Sequence, residues 1–398
     1  MSTAGHTRRW MLWMVLVVAL ALRTLFGLNS AGLEASVDER SWDGMARAFW
    51  LSGLLHPDGG IYRPPLYPLM LAGIYQVCGR DLDMVRLWQA LLGTAACALM
   101  YGIGRRIGGK RVGLIAAGLG AIYPLFVFFS AVVMAETLLV LLITAALLLA
   151  LRLEAVPSAG NAAALGGVVG LAALCKPVVL AWVPLLLWGW WRRSGLQGWL
   201  RLRYVAILVG ATGIVVVPWT VRNALVEGYF VPISSNLGMN LMIGNEKEAD
   251  GTYRFGIDYL SMFKQLSGAA EHQVAQDRVV ARKALQWIAA EPTRFGRLAI
   301  RKLLLLWNPL VAGESALRNL IALISSGPVL VLGLWGTLQL RGRPESWLVG
   351  TLALSLSLVH MVFFVHTRFR LPIDAALIAP AAWMLERGWS RWRHGSRE

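Results

Sequence analysis

Residues 64–78 read PPLYPLMLAGIYQVC. The segment is apolar enough to count as a membrane span but short for one, and it opens on two prolines. A bilayer core about 30 Å thick takes roughly 20 mostly apolar residues of helix, whereas paired prolines suit the first turn of a helix. Whether this segment crosses decides the topology. If it crosses, Arg105–Arg111 falls on the opposite side from Arg8-Arg9. If it lies along the surface, one face collects Arg8-Arg9, Arg105-Arg106 with Lys110-Arg111, Arg192-Arg193 with Arg201 and Arg203, Arg341 with Arg343, and Arg391, Arg393 and Arg397. Basic loops favour the cytoplasmic side, so the segment reads as a surface helix.

The composition sets the class around it. With 57% hydrophobic and 15% charged residues in 398, the chain has more apolar surface than a soluble core uses. The expected architecture is an all-α integral membrane protein, a single domain over 1–398. About ten spans are read: Trp10–Leu28, Met84–Tyr101, Val112–Phe129, Met134–Leu153, Asn161–Cys175, Val178–Trp191, Tyr204–Val221, Leu320–Leu340, Trp347–Val365 and Pro372–Trp389. The first apolar run has no small-residue cleavage site after it and reads as a span rather than a removable signal peptide. Both termini are then cytoplasmic. The net charge of +16 is accounted for by the basic loops, so the partner implied is the lipid bilayer and not nucleic acid. Cys78, Cys97 and Cys175 lie in or beside apolar runs without metal-ligand spacing, and read as packing residues.

Two long external regions remain, the loops 29–83 and 222–319. Arg294–Trp307 alternates Phe295, Leu298, Leu303 and Leu306 with Arg294, Arg297, Arg301 and Lys302, and reads as a second amphipathic surface helix. Neither region is large enough for a nucleotide-sugar domain, so chemistry is expected at the bilayer surface.

The charged residues that reach this face are the candidate site. Asp38-Glu39 follows the first span. Ser36 and Glu39 have the spacing of a capping box, which explains Glu39 well, while Asp38 is suited to act as a general base kept ionised by the helix terminus and Arg40. Arg63, before Pro64-Pro65, is either a phosphate contact or an interfacial arginine that snorkels. In His366-Thr367-Arg368-Phe369-Arg370-Leu371-Pro372, two arginines stand on the side where positive charge is unexpected. They suit bidentate phosphate recognition, with pairing to Asp374 as the alternative. Arg222, at the end of the seventh span, is delivered to the same face. Glu136 is costly in lipid and is expected to face a cavity. Lys176 either snorkels or touches an anionic headgroup, and His366 completes the cavity candidates. His56, His360 and His366 form no recognisable metal triad, and no metal or other cofactor is indicated. Gly166–Gly170 has the spacing of a helix-packing seam.

Taken in order, Asp38-Glu39, Arg63-Pro64-Pro65-Leu66, Pro218-Trp219-Thr220-Val221-Arg222-Asn223 and His366–Pro372 resemble the GT-C superfamily of polyprenyl-phosphate-sugar-dependent glycosyltransferases. The branch they are most similar to contains bacterial aminoarabinose transferases and protein O-mannosyltransferases. The resemblance implies a GT-C-like bundle. It also implies a polyprenyl-phosphate sugar as donor, and a glycolipid, cell-envelope glycan or protein as acceptor. It makes Asp38 the catalytic base and Glu39 a supporting acid, with Arg63, Arg222, Arg368 and Arg370 contacting the donor phosphate. Transfer is expected to be single-step and inverting, on the external face of a bacterial plasma membrane. A lipid-linked sugar flippase or transporter is the alternative, since such proteins also place ionisable residues among their helices.

Overall fold

The computed structural model describes residues 3–30, 36–56, 60–254, 256–268, 270, 272–310 and 315–395. The side chains of Arg8 and Arg9, and Arg397, lie outside the described residues. Apart from one parallel bridge between Thr252 and Val365, the described residues are helices and their connections, as the composition requires. In chain order these are α1 (Thr3–Asn29), α2 (Val37–Ser52), α3 (Leu66–Cys78), α4 (Leu82–Ile122), α5 (Pro124–Ala131), α6 (Glu136–Ala155), α7 (Ala159–Cys175) and α8 (Val183–Arg193). They continue with α9 (Gly198–Glu227), α10 (Leu237–Asn245), α11 (Tyr259–Ser267), α12 (Gln273–Ala290), α13 (Pro292–Trp307), α14 (Ala316–Gln339), α15 (Pro344–Val362) and α16 (Leu371–Gly395).

Six helices among the described residues are long and apolar enough to cross a membrane: Trp10–Asn29 of α1, then α4, α6, α9, α14 and α15. Of these α4, with 41 residues, is two helices in one. Gly108 and Gly109 leave the helical backbone, Gly109 at φ +83°, and the chain doubles back. A Cβ on Gly104 would lie 2.9 Å from Val112 O, and one on Gly113 2.8 Å from Tyr101 O. The arms therefore meet backbone to backbone, the contact that small residues permit between membrane helices. The same physics joins α7 to α9, where a Cβ on Gly166 would sit 2.2 Å from Leu208 O. The first arm of the hairpin takes the place of the span expected at Met84–Tyr101.

Two other expected spans are not continuous helices, and proline is the cause in each. Val112–Phe129 breaks at Tyr123, which is extended before Pro124 starts α5, because proline lacks an N–H and clashes with the preceding turn. Val178–Trp191 is a 3₁₀ turn over Pro177–Trp182 followed by α8, which carries Pro184 in its first turn.

Both segments expected as surface helices are helical, although Lys302, expected on the polar face of the second, is buried. At 13 residues, α3 is roughly 20 Å long, too short for a core about 30 Å thick. It packs on α2 through Tyr67, Leu71, Ile74 and Tyr75. In α13, Leu298, Lys302 and Leu306 face inward while Ile300 and Leu304 are exposed.

At the centre, α16 packs against α4, α6 and α14 and is buried all round from Ile373 to Ala382, as a helix apolar on every side must be. The basic loops gather at one end of this bundle. Arg343 donates to Ile107 O at 3.1 Å and Arg193 to Gly342 O at 2.9 Å, so the loops after the first arm of α4, after α8 and after α14 touch.

Candidate active site

Five helix boundaries meet at the opposite end of the bundle. They bring together Asp38 in the first turn of α2, Arg63 ahead of α3, Glu136 at the first position of α6 and Lys176 just past α7. The fifth is Arg368, in a 3₁₀ turn over Thr367–Arg370 between α15 and α16.

Local sequence explains how each is held. Ser36 Oγ accepts from Glu39 N at 3.2 Å while Ser36 N donates to Glu39 Oε2 at 2.8 Å, the reciprocal pair of a capping box. This places Asp38 where the positive helix end favours a carboxylate. The other oxygen of Glu39 accepts from Val133 N at 3.0 Å. Glu39 thus braces the α5–α6 connection against α2 with both of its oxygens. His366 Nδ1 accepts from Arg368 N at 3.3 Å and caps the 3₁₀ turn.

Asp38 is clamped between two guanidiniums. Arg63 donates to its Oδ1, and Arg368 Nη1 donates to its Oδ2 at 2.6 Å. Arg63 also donates to Ser41 Oγ at 3.2 Å and lies over the rings of Trp42 and Tyr62. Arg368 Nε is 3.7 Å from Glu136 Oε1, and Lys176 Nζ donates to the same oxygen at 2.5 Å. Charges alternate along the row Arg63, Asp38, Arg368, Glu136, Lys176. Glu136 is 1% exposed, whereas Asp38 keeps 28% of its side chain accessible. Only one of the two acids is open to an incoming hydroxyl.

The electrostatics follow from this packing. Burial alone would raise the Asp38 carboxyl, but the charges of Arg368 and then Arg63 outweigh it and hold Asp38 below the usual carboxylate range. Burial, helped by Arg368, lowers His366 to about 4, so its imidazole is neutral at neutral pH. Three cations face two carboxylates, which leaves one positive charge unbalanced. Phe369 lies beneath Arg368 and Lys176. The Tyr253 hydroxyl is raised by burial and by Asp38, which puts this tyrosine of the second external region within the field of the site. Nothing in its local sequence signals that.

Two arginines expected here are placed elsewhere. Arg222 donates to Leu54 O at 2.8 Å, His56 O at 3.0 Å and Gly60 O at 3.4 Å, pinning the first external loop to the end of α9. Arg370 is 1% exposed. It donates to Asp374 Oδ1 at 3.0 Å and to Asn308 O at 2.7 Å, and Tyr123 donates to the other oxygen of Asp374 at 2.9 Å. Pairing with Asp374, the alternative reading of the late arginines, holds for Arg370 and not for Arg368. A 3₁₀ turn explains the difference, because residues two apart in it point in different directions. Among the described residues no group of three His, Cys, Asp or Glu side chains is spaced to hold a metal. Sequence reasoning also passed over Arg23, a buried arginine inside the first span, although a charge in an apolar run is itself a signal.

The family model for dolichyl-phosphate-mannose-protein mannosyltransferase matches residues 62–221, less than half of the chain, a stretch that contains Arg63, Glu136 and Lys176. No curated protein matches the chain in sequence. Among solved structures, the archaeal oligosaccharyltransferase AglB from Archaeoglobus fulgidus, in complex with an inhibitory peptide and a dolichol-phosphate, is 14% identical. It aligns over 98% of this chain and 51% of its own, with a TM-score of 0.56. ArnT from Cupriavidus metallidurans bound to undecaprenyl phosphate is 17% identical over 96% of this chain and 78% of its own, with a TM-score of 0.45. The Saccharomyces cerevisiae protein O-mannosyltransferase Pmt1-Pmt2 complex bound to the sugar donor is 17% identical over 62% of this chain and 38% of its own, with a TM-score of 0.46. The chain spans about half the length of the oligosaccharyltransferase it matches.

Proposed function

We propose that this chain, which has the fold of the GT-C glycosyltransferases, moves a sugar from a polyprenyl-phosphate donor to an acceptor hydroxyl at the membrane surface. The observation that carries this reading is the single unbalanced positive charge of the row from Arg63 to Lys176. A polyprenyl-phosphate sugar is a phosphodiester with one negative charge, so it would neutralise the row. Two guanidiniums aimed at one accessible point offer it the charge-assisted hydrogen bonds that hold a phosphate.

The same geometry supplies the step. In the resting site both oxygens of Asp38 are occupied by arginine. A donor phosphate drawn to Arg63 and Arg368 competes for those donors and loosens their hold on Asp38. The released oxygen takes the proton of the acceptor hydroxyl as that oxygen attacks the anomeric carbon. The bond from the anomeric carbon to the phosphate oxygen breaks, and its electron pair stays on the polyprenyl phosphate, where Arg63 and Arg368 stabilise it. Attack from the side opposite the leaving group inverts the anomeric centre. Lys176 holds Glu136, and Glu136 in turn holds Arg368. The acceptor is a glycolipid, a cell-envelope glycan or a protein. The site lies on the external face with the basic loops and both termini in the cytoplasm, an orientation favoured by the convergence of those loops at the far end of the bundle.

Purified protein in lipid vesicles, supplied with a panel of radiolabelled undecaprenyl-phosphate sugars and a membrane lipid extract, tests the reading. The expected result is a new glycosidic bond with release of undecaprenyl phosphate. Movement of the labelled lipid across the bilayer without a new bond would replace transfer by a flippase.

A further inference from the structure

The 3₁₀ turn Thr367–Arg370 places one apolar side chain, Phe369, between the arginine that holds Asp38 and the arginine that does not. Its ring centroid lies 5.3 Å from Arg368 Cζ and 5.4 Å from Lys176 Nζ, within the range over which an aromatic face attracts a cation. The same two cations approach Glu136 Oε1, so the ring is the second group they share. Other contacts hold the ring in one orientation. His360 stacks on it at 4.7 Å with 8° between the planes, and Phe364 meets it edge-on at 5.3 Å. Phe369 N donates to His366 O at 2.9 Å, and the next residue, Arg370, is fixed by Asp374 and Asn308. Phe369 also packs against two apolar cores, that of the membrane bundle and that of α10–α12. Leucine or methionine would serve the packing. Neither would attract two cations.

We propose that Phe369 is a positioning residue for the donor phosphate: the negative face of its ring keeps Arg368 and Lys176 in place when a phosphate draws Arg368 away from Asp38. In the resting site Asp38 holds Arg368 at 2.6 Å, and the ring adds little to that. Once a phosphate competes for the guanidinium, Glu136 and the ring remain as its contacts within the protein. The pull of the ring then counts for more with phosphate bound than without it, and only such a difference between states changes an affinity. The role in binding rests on the proposed donor-phosphate site. The attraction of the two cations to the ring does not.

Phenylalanines carrying one, two and three ring fluorines, inserted at position 369 of the full chain in lipid nanodiscs, keep the shape of the ring and drain its negative face step by step. The Kd for undecaprenyl phosphate is expected to rise with each fluorine, reaching about tenfold at three. A Kd that stays flat along the series would overturn the proposal, because apolar bulk would then be all that the position requires. If the unmodified protein does not bind undecaprenyl phosphate, the donor site falls, and the binding role of Phe369 falls with it. Thermal unfolding tells that failure from a failure of the ring contact. The same series is built on Lys176→Met/Glu136→Gln, which removes one cation together with its acid and strands no charge. Tm is expected to fall more steeply with fluorine number in the unmodified background than in this one. Equal slopes would show that the ring does not hold Lys176.

Discussion

Arg368 Nη1 donates to Asp38 Oδ2 at 2.6 Å, joining residues 330 positions apart in the chain. One comes from the helix after the first span and the other from the turn before the last helix. The site therefore exists only when the whole bundle has closed. Arg63 holds the other oxygen of Asp38, so the carboxylate is pre-ionised and pre-aimed before substrate arrives.

Asp38→Asn keeps the shape of this contact and removes the base. Transfer from a radiolabelled undecaprenyl-phosphate sugar should fall by about 10²–10⁴-fold, while thermal unfolding in detergent stays cooperative. Near-normal transfer by a folded Asn variant would remove Asp38 from the chemistry.

Arg63→Ala and Arg368→Ala should act first on donor binding. Each removes a charge-assisted hydrogen bond, worth roughly 1.5–3 kcal/mol, so the Kd for undecaprenyl phosphate should rise roughly ten- to a hundredfold. Arg368→Lys should recover part of the loss, since the charge remains and the fork does not. An unchanged Kd in both alanine variants would place the phosphate elsewhere.

Arg222→Ala should behave in the opposite way. Its guanidinium holds three carbonyls of the first external loop, so its loss should cost about 2–3 kcal/mol and lower Tm by several degrees. Undecaprenyl phosphate should bind the surviving folded protein with an unaltered Kd. A selective loss of binding at unchanged Tm would return Arg222 to the site.

These contrasts also mark what could be read from the chain alone. That Asp38, Arg63 and Arg368 gather at one end of the bundle follows from where the charges stand relative to apolar runs. The length of residues 64–78 already marks a helix shorter than a span. The direction of a side chain does not follow from its side of the membrane. Arg370 lies two residues from Arg368 and turns into the bundle, and Arg222 turns to a loop some 160 residues earlier. Lys176 stays ambiguous in sequence because its partner Glu136 is 40 residues away. The breaks at Tyr123-Pro124 and before Pro184 are different, because proline marks them in the sequence itself.

Lys302 offers a test by pH that leaves the site untouched. It is fully buried on the inner face of α13 and donates to Asn245 Oδ1 at 3.0 Å and Val362 O at 3.2 Å, with Arg294 as the nearby charge. Burial, reinforced by Arg294, lowers its pKa from 10.5 to about 7. Between those two values the unfolded chain holds a proton that the folded protein has released, so stability rises with pH across this window and is flat below it. The full effect is on the order of 5 kcal/mol. Lys302→Met removes the buried charge along with both hydrogen bonds, and the lost bonds cost about the same at every pH. The Tm of Lys302→Met minus that of the unmodified protein, measured in nanodiscs, should therefore fall by several degrees from pH 7.5 to pH 10. A difference that stays constant, or grows, would show that Lys302 remains protonated in the folded state.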